Sequence, residues 1–91
     1  MEQLKVEQLK VEQLKNDLRG IVAAIGGLPR DFDSSADLYS ELHVESFQTI
    51  DILAALEERY NVSIPDDEYM NARSLDGLSQ MMDSLLGKQA Q

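Results

Sequence analysis

The sequence predicts an all-α fold with three principal helices and one short helix. Apolar residues recur at spacings of three and four in three long stretches, as they do in helices that bury one face. Helix start and stop signals, including Gly-Gly, Pro-Asp and an isolated serine, separate these stretches. A length of 91 residues predicts one small domain, near the lower size limit for a core that no disulfide or metal ion stabilises.

The composition excludes several classes of protein. There is no cysteine, so disulfides and thiolate zinc sites are unavailable. No apolar run approaches the roughly 20 residues of a membrane span, and the N-terminus lacks the apolar block of a signal peptide. We therefore expect a soluble, cytoplasmic and monomeric protein.

The net charge of −9 is unevenly distributed along the chain. Residues 1–15 hold three acidic and three basic residues, whereas residues 16–91 hold fourteen acidic and five basic residues. Such a surface repels nucleic acid and attracts basic protein partners. Simple solubility is the alternative explanation for the charge.

The first stretch begins with a repeated pentad, EQLK-VEQLK-VEQLK. A period of five advances about 140° per repeat around a helix, so its leucines spiral and do not form one face. We expect residues 1–10 to be a helical leader, 11–87 the functional domain and 88–91 a loose tail. From Val11 the spacing becomes that of a packing helix, which Gly26-Gly27 and Pro29 end. Its apolar stripe is Val11, Leu14, Leu18, Ile21, Val22 and Ile25.

Residues 26–45 form a long connection that we expect to be pinned to the core, with one helical turn near 36–42. Three acids in it, Asp31, Asp33 and Asp37, invite comparison with a calcium loop. The comparison fails because Ala36 replaces the sixth-position Gly and Leu42 the twelfth-position Glu. We interpret the acids as solvated. The expected pinning residues are Phe32, Leu38, Tyr39 and Leu42.

The second helix is predicted over residues 46–60, and it carries two apolar stripes. One stripe faces the core, and the other lies roughly 120° or more away on the helical wheel. A second stripe indicates either deeper burial or a partner surface, and the acids between the stripes favour the partner. The core stripe is Thr49, Ile52, Leu53, Leu56 and Tyr60, and the outer stripe is Phe47, Ile50 and Ala54.

Two further helices follow. Val62 and Ile64 should point inward before a short helix that starts at Pro65 and runs to about Asn71. Ser74 is the predicted cap of the last helix, which Gly87 should end. The apolar positions of the last helix are Leu75, Leu78, Met81, Met82, Leu85 and Leu86.

The residues offer little support for catalysis or metal binding. His43 is the only imidazole, and no nucleophile elbow or oxyanion hole accompanies it. Asp66, Asp67 and Glu68 could hold a divalent cation loosely, but a dedicated site needs more oxygen ligands in fixed geometry. We expect neither an enzyme nor a metal site. Ser46, at the start of the second helix, is the remaining candidate, either as an ordinary N-cap or as a modified residue.

The stretch around Ser46 resembles the acyl carrier protein family. That family's fingerprint is Asp-Ser-Leu, a helix with an acidic, aromatic-terminated end, and then Ile-Pro-Asp. The counterparts here are Glu45-Ser46-Phe47, then residues 55–60 (ALEERY), then Ile64-Pro65-Asp66. The resemblance covers roughly residues 11–87 and includes Asp37-Leu38 before the motif. It implies an acyl-carrier-like helical bundle.

The resemblance also implies a function. Ser46 would receive a covalent 4′-phosphopantetheine arm from a phosphopantetheinyl transferase, and the arm would hold an acyl group as a thioester. The second helix would dock on basic patches of a ligase, synthase or acyltransferase of fatty-acid, polyketide or related biosynthesis. By position, the docking residues would be the outer stripe, Phe47, Ile50 and Ala54, and an acidic rim, Glu45, Asp51, Glu57 and Glu58.

The chain departs from the family pattern at three places. Glu45 replaces the usual Asp, Phe47 replaces Leu, and His43 replaces a frequent Gly. The Ser46-Phe47 pair and the turn at residues 27–29 also resemble carriers loaded with amino acids by stand-alone ligases. The alternatives are therefore an aminoacyl carrier, or an unmodified interaction module in which Ser46 only caps the helix.

Overall fold

The computed structural model describes the backbone of residues 2–89 and the side chains of residues 11–87. This part of the chain contains four helices and no strand. Three helices are long and one is short, which confirms the predicted all-α fold. The helices are α1 (Glu2–Gly26), α2 (Ser46–Tyr60), α3 (Asp66–Asn71) and α4 (Leu75–Gln89).

Helix α1 is the central packing element, because it contacts both α2 and α4. Leu18 and Val22 are completely buried, and packing against the core begins at Leu14. Val11 is 40% exposed, so its predicted place in the apolar stripe is wrong. The side chains of the pentad leader lie outside the described residues, and the division at residue 10 stays a prediction.

The end of α1 follows from its glycines. Gly27 has φ +66°, a left-handed conformation that residues with a Cβ adopt at a cost. The Leu28 N–H then donates to the Ala23 carbonyl at 2.9 Å, as in a Schellman motif. The predicted stop at Gly26-Gly27 is confirmed.

The long connection before α2 is fastened to the rest of the molecule. Phe32 and Leu38 are buried, as predicted, and Tyr39 and Leu42 are partly buried against the core. The Leu38 N–H donates to the Arg73 carbonyl at 2.7 Å. A single hydrogen-bonded turn forms where a helical turn was expected, with Glu41 and Leu42 N–H groups donating to the Asp37 carbonyl.

Two acids of this connection have structural roles that their interpretation as solvated residues missed. The Asp33 carboxylate accepts hydrogen bonds from the Ser35 N–H at 2.9 Å and the Ser35 hydroxyl at 2.7 Å. The Asp37 carboxylate accepts from the N–H groups of Tyr39 and Ser40 at 2.8 and 2.9 Å. Short acidic side chains often organise turns in this way, so both residues shape the loop.

The remaining elements form largely as predicted. Val62 and Ile64 are buried, and Pro65 precedes the first turn of α3. The Ser74 hydroxyl accepts from the Gly77 N–H at 3.0 Å, which confirms it as the cap of α4. The prediction that Gly87 ends α4 is wrong, because the helix runs to Gln89. An exposed glycine near a helix end costs only about 1 kcal/mol, which does not stop the helix.

The predicted loose tail, residues 88–91, begins inside α4, and its last two residues lie outside the described part of the chain. No helix in the described residues combines the length and apolarity that crossing a bilayer requires.

Candidate functional site

Ser46 is the first residue of α2, and its side chain is exposed. Within the described residues, its hydroxyl makes no hydrogen bond and is open to solvent. The backbone N–H groups of a first helical turn have no intrahelical acceptors, and they lie at the positive end of the helix dipole. The residue therefore presents a free hydroxyl where a phosphodiester would be stabilised by backbone donors.

The N-cap of α2 is Glu45 and not Ser46. Glu45 has φ −88° and ψ 161°, the extended conformation of a cap, and its carbonyl accepts the Thr49 N–H at 3.0 Å. The alternative in which Ser46 acts only as a helix N-cap is therefore wrong. Serine is the more common capping residue, but here it lies one position inside the helix.

The backbone that leads into Ser46 is unusual at His43. This exposed residue has φ +60°, in the left-handed region, and it precedes the buried Val44. Histidine is among the few non-glycine residues enriched there, although the conformation still carries strain. After the left-handed residue His43, Val44 enters the core and Ser46 stays exposed.

The two stripes of α2 separate as the sequence predicts. Ile52 and Leu56 are 1% and 0% exposed, whereas Phe47 and Ile50 are 62% and 66% exposed. Ala54 is also exposed. The outer stripe is thus an apolar surface that nothing in the described chain covers, and the core stripe holds α2 against the bundle.

The acidic rim is not uniform. Glu45, Asp51 and Glu58 are exposed, but Glu57 is half-buried. One Glu57 carboxylate oxygen accepts the Ile64 N–H at 2.9 Å, so this acid fastens the connection between α2 and α3. The structure brings three of the four rim acids to the open surface and gives the fourth a structural contact.

A cleft of about 490 Å³ lies directly beside Ser46. It is open to solvent and bounded by α2, α3 and the connection before Ser46. The Tyr69 hydroxyl donates to the Thr49 carbonyl at 2.7 Å across its floor, and burial raises the pKa of Tyr69. Besides Ser46, the lining residues are Tyr39, Val44, Thr49, Ile50, Tyr69, Met70 and Arg73.

One wall of this cleft contains Arg73, which forms an ion pair with Asp37 that the sequence analysis did not predict. Arg73 donates to both carboxylate oxygens of Asp37, at 2.7 and 3.2 Å, and its guanidinium carbon lies 4.9 Å from the centroid of the Tyr39 ring. The Arg73 hydrogen bonds, followed by that of the Ser40 N–H, lower the pKa of Asp37 well below its usual range. The two partners lie 36 residues apart, and no local pattern indicates such a pair.

Met70 is the other residue that the sequence did not single out. It is 70% exposed, on α3, and it lines the same cleft as Ile50. The sequence could have predicted this exposure. Tyr69 is the apolar residue that α3 buries, and neighbouring residues in a helix point in different directions, so Met70 points away from the core. Met70 extends the uncovered apolar surface of α2 onto α3.

Neither catalysis nor metal binding gains support from the geometry. His43 is exposed, and the described side chains include no group of three His, Asp or Glu residues that could hold a metal ion. Asp66, Asp67 and Glu68 occupy the first turn of α3, where acids are stabilised by the helix dipole. Ser46, with its exposed hydroxyl, remains the candidate for modification at this site.

Comparisons with known proteins agree with this site. Residues 16–82 match the family described as the phosphopantetheine attachment site. An acyl carrier protein of Acidothermus cellulolyticus is 30% identical over 59 residues, which cover 64% of this chain and 70% of that protein. A non-reducing polyketide synthase, pks11, of Talaromyces marneffei is 28% identical over 72 residues. That match covers 79% of this chain but only 3% of the synthase. The chain thus belongs to the acyl carrier protein family, whose domain carries covalently attached 4′-phosphopantetheine.

Proposed function

We propose that Ser46 is the attachment residue and that the chain is a carrier. Its hydroxyl oxygen forms a bond to the phosphorus of the phosphopantetheinyl group of coenzyme A. The phosphoanhydride bond to the nucleotide leaving group breaks, and the hydroxyl proton passes to a base on the transferase. The observation that carries this proposal is the exposed, unpaired hydroxyl in the first turn of α2.

The surroundings of Ser46 support the chemistry. The free N–H groups of the first turn favour the negative phosphodiester, so the backbone itself stabilises the product. The arm's thiol then holds an acyl group as a thioester for other enzymes. The carrier performs no chemistry of its own in this scheme; it binds partners and presents the acyl group.

The outer stripe and the exposed acids of the rim are the proposed docking surface. Phe47 and Ile50 supply apolar area, and Glu45, Asp51 and Glu58 supply charge around it. A partner that fits this surface has an apolar socket surrounded by Lys or Arg. The partners are a transferase and a synthase, ligase or acyltransferase, in a cytoplasmic pathway of fatty-acid, polyketide or related biosynthesis.

The attachment is tested by incubating the folded chain with coenzyme A and a phosphopantetheinyl transferase, followed by intact-mass measurement. We expect the mass to increase by one phosphopantetheinyl group in the wild-type chain and not in Ser46→Ala. Ser63→Ala, a change at another exposed serine, is the matched control and should be modified like wild type. An unmodified wild-type chain with several transferases, or a modified Ser46→Ala chain, would contradict the proposal.

A further inference from the structure

Gln48 uses both ends of its side-chain amide to join two helices. Its Oε1 accepts the Glu45 backbone N–H at 2.9 Å, and its Nε2 donates to the Ile25 backbone carbonyl at 3.3 Å. The orientation of the amide is determined by its neighbours, because an N–H can only donate and a carbonyl can only accept. The side chain is half-buried between the start of α2 and the end of α1.

The start of α2 has few other contacts that would hold it. Among residues 46–50 no side chain is buried, and Phe47 and Ile50 face solvent. Helix ends with few buried apolar contacts open more readily than the middle of a helix. The Glu45 N–H lies next to Ser46 in the chain, so the Gln48 bridge acts one residue from the hydroxyl.

We propose that Gln48 is a positioning residue for the modification of Ser46. By linking the Glu45 N–H to the Ile25 carbonyl, it keeps the first turn of α2 formed and fixed against α1. The transferase then meets Ser46 in the conformation that it modifies. This inference rests on the proposed attachment at Ser46, but it concerns a different residue and has its own physical readout.

The bridge predicts a particular kinetic effect. If the competent conformation of the first turn becomes less populated, the apparent affinity of the transferase falls by that fraction. At saturating concentrations of the carrier, every transferase molecule still binds a carrier in the competent conformation, so the maximal rate does not change. Loss of the bridge should therefore raise the KM for the carrier and leave kcat unchanged. The loss of one neutral hydrogen bond raises the ratio of open to formed first turn about 3- to 10-fold, and this factor is the upper bound of the rise in KM.

Gln48→Glu separates positioning from helix stability. The carboxylate still accepts the Glu45 N–H, and a glutamate at this position completes the favoured capping pattern and suits the helix dipole. It cannot donate to the Ile25 carbonyl. Its extra negative charge attracts a basic transferase, which would lower the KM, so a higher KM cannot be a charge effect. Gln48→Met removes both hydrogen bonds without a charge, and Gln80→Glu adds the same charge on the exposed face of α4.

The experiment measures the steady-state kinetics of the transferase with coenzyme A and the full-length carrier variants. We expect the KM to rise, by up to about 10-fold, for Gln48→Glu and Gln48→Met and to stay near the wild-type value for Gln80→Glu. Amide hydrogen exchange of the unmodified proteins should be faster at Glu45 and Thr49 in Gln48→Met, because both N–H groups are hydrogen-bonded in the formed first turn.

Two results would overturn the inference while leaving Ser46 as the attachment residue. One is a modified wild-type chain whose Gln48 variants keep the wild-type KM. The other is unchanged exchange at Glu45 and Thr49 in Gln48→Met, because the bridge would then constrain nothing. An unmodified wild-type chain would instead contradict the attachment itself, and with it any positioning role.

Discussion

The two ends of helix α2 are held in opposite ways. At its N-terminal end, Ser46, Phe47 and Ile50 are exposed, and hydrogen bonds from Gln48 and to Thr49 supply the links to α1 and α3. At its C-terminal end, Leu56 is completely buried. The helix is fixed at the end away from Ser46 and open at the end that carries Ser46, the proposed attachment residue.

Charge strengthens the C-terminal attachment. Arg59 and Tyr60 both donate to the same oxygen of Asp17 on α1. Burial alone would raise the pKa of Asp17, but these two hydrogen bonds outweigh it and lower the pKa. In the proposed function, the N-terminal end of α2 must be accessible to several enzymes in turn. The contacts at the C-terminal end keep the helix attached to the bundle.

The largest expected difference lies between two apolar residues of the same helix. Leu56→Ala should lower the free energy of unfolding by about 2–5 kcal/mol, because it leaves a cavity in the core. Ile50→Ala, at a 66% exposed position, should change it by about 0.5 kcal/mol or less. Urea denaturation of both variants measures the contrast. Similar losses in the two variants would show that the outer stripe is covered in solution.

The Tyr60 hydroxyl tests the charged attachment. Tyr60→Phe removes one donor to Asp17 and should cost about 1 kcal/mol at neutral pH. Burial, and then the nearby Asp17 carboxylate, raise the pKa of Tyr60 from 10.0 to about 12.

The raised pKa sets the direction of the pH effect. Between those values the folded chain keeps a proton that the unfolded chain loses, so stability is full below pH 10.0 and falls as pH rises toward 12. Urea unfolding at increasing alkaline pH should show a shallower fall for Tyr60→Phe than for wild type. Part of the fall should remain, because the pKa of Tyr69 is also raised. Equal slopes in the two proteins would count against the Asp17 contact.

His43, the strained residue that precedes Ser46 in the chain, offers a substitution that should increase stability. His43→Gly relieves the left-handed conformation at φ +60° and should raise the free energy of unfolding by about 1 kcal/mol. The greater flexibility of glycine in the unfolded chain offsets part of the gain. His43→Val, whose branched side chain fits this conformation poorly, should be less stable than wild type. Chemical denaturation decides the order, which is contradicted if the glycine variant is the less stable of the two.

The smallest expected effect on stability is at the reactive residue. Ser46→Ala should change the free energy of unfolding by about 0.5 kcal/mol or less, because the hydroxyl has no partner to lose and Ala favours a helix interior. Ser74→Ala, at the true cap of α4, should cost about 0.5–2 kcal/mol. Parallel urea titrations compare the two serines. A loss of similar size at Ser46 would restore the interpretation that it caps α2.

The sequence predicts the helices and the two stripes of α2 because those features are local. Helical spacing separates Ile52 and Leu56 from Phe47 and Ile50, and the stop signal at Gly27 and the start signal at Pro65 act within a few residues. It also identifies Ser46 as the residue at the junction. The exact cap was missed, because Ser46 and Glu45 can both serve and their backbone angles decide between them.

The missed features depend on contacts between distant segments. Asp37 and Arg73 meet across 36 residues, and Gln48 reaches Ile25 across 23. Glu57 has the sequence pattern of a rim acid, but its carboxylate turns toward the Ile64 N–H. Periodicity shows which face of a helix a residue occupies, whereas the partner of a polar side chain depends on how the helices and loops come together.

Three arginines bind groups of the same chain, and this affects how the molecule meets other proteins. Arg19 donates to the carbonyls of Arg30 and Phe32, Arg59 binds Asp17, and Arg73 binds Asp37. These guanidinium groups are engaged in contacts within the chain, whereas Asp51 and Glu58 on the exposed face of α2 have no ion pair among the described residues. Two copies of the chain that approach through this face repel each other, whereas a cationic enzyme is drawn toward it from a distance. By pairing within the chain, these arginines leave the exposed acids of α2 free to attract cationic proteins and repel anionic ones before contact.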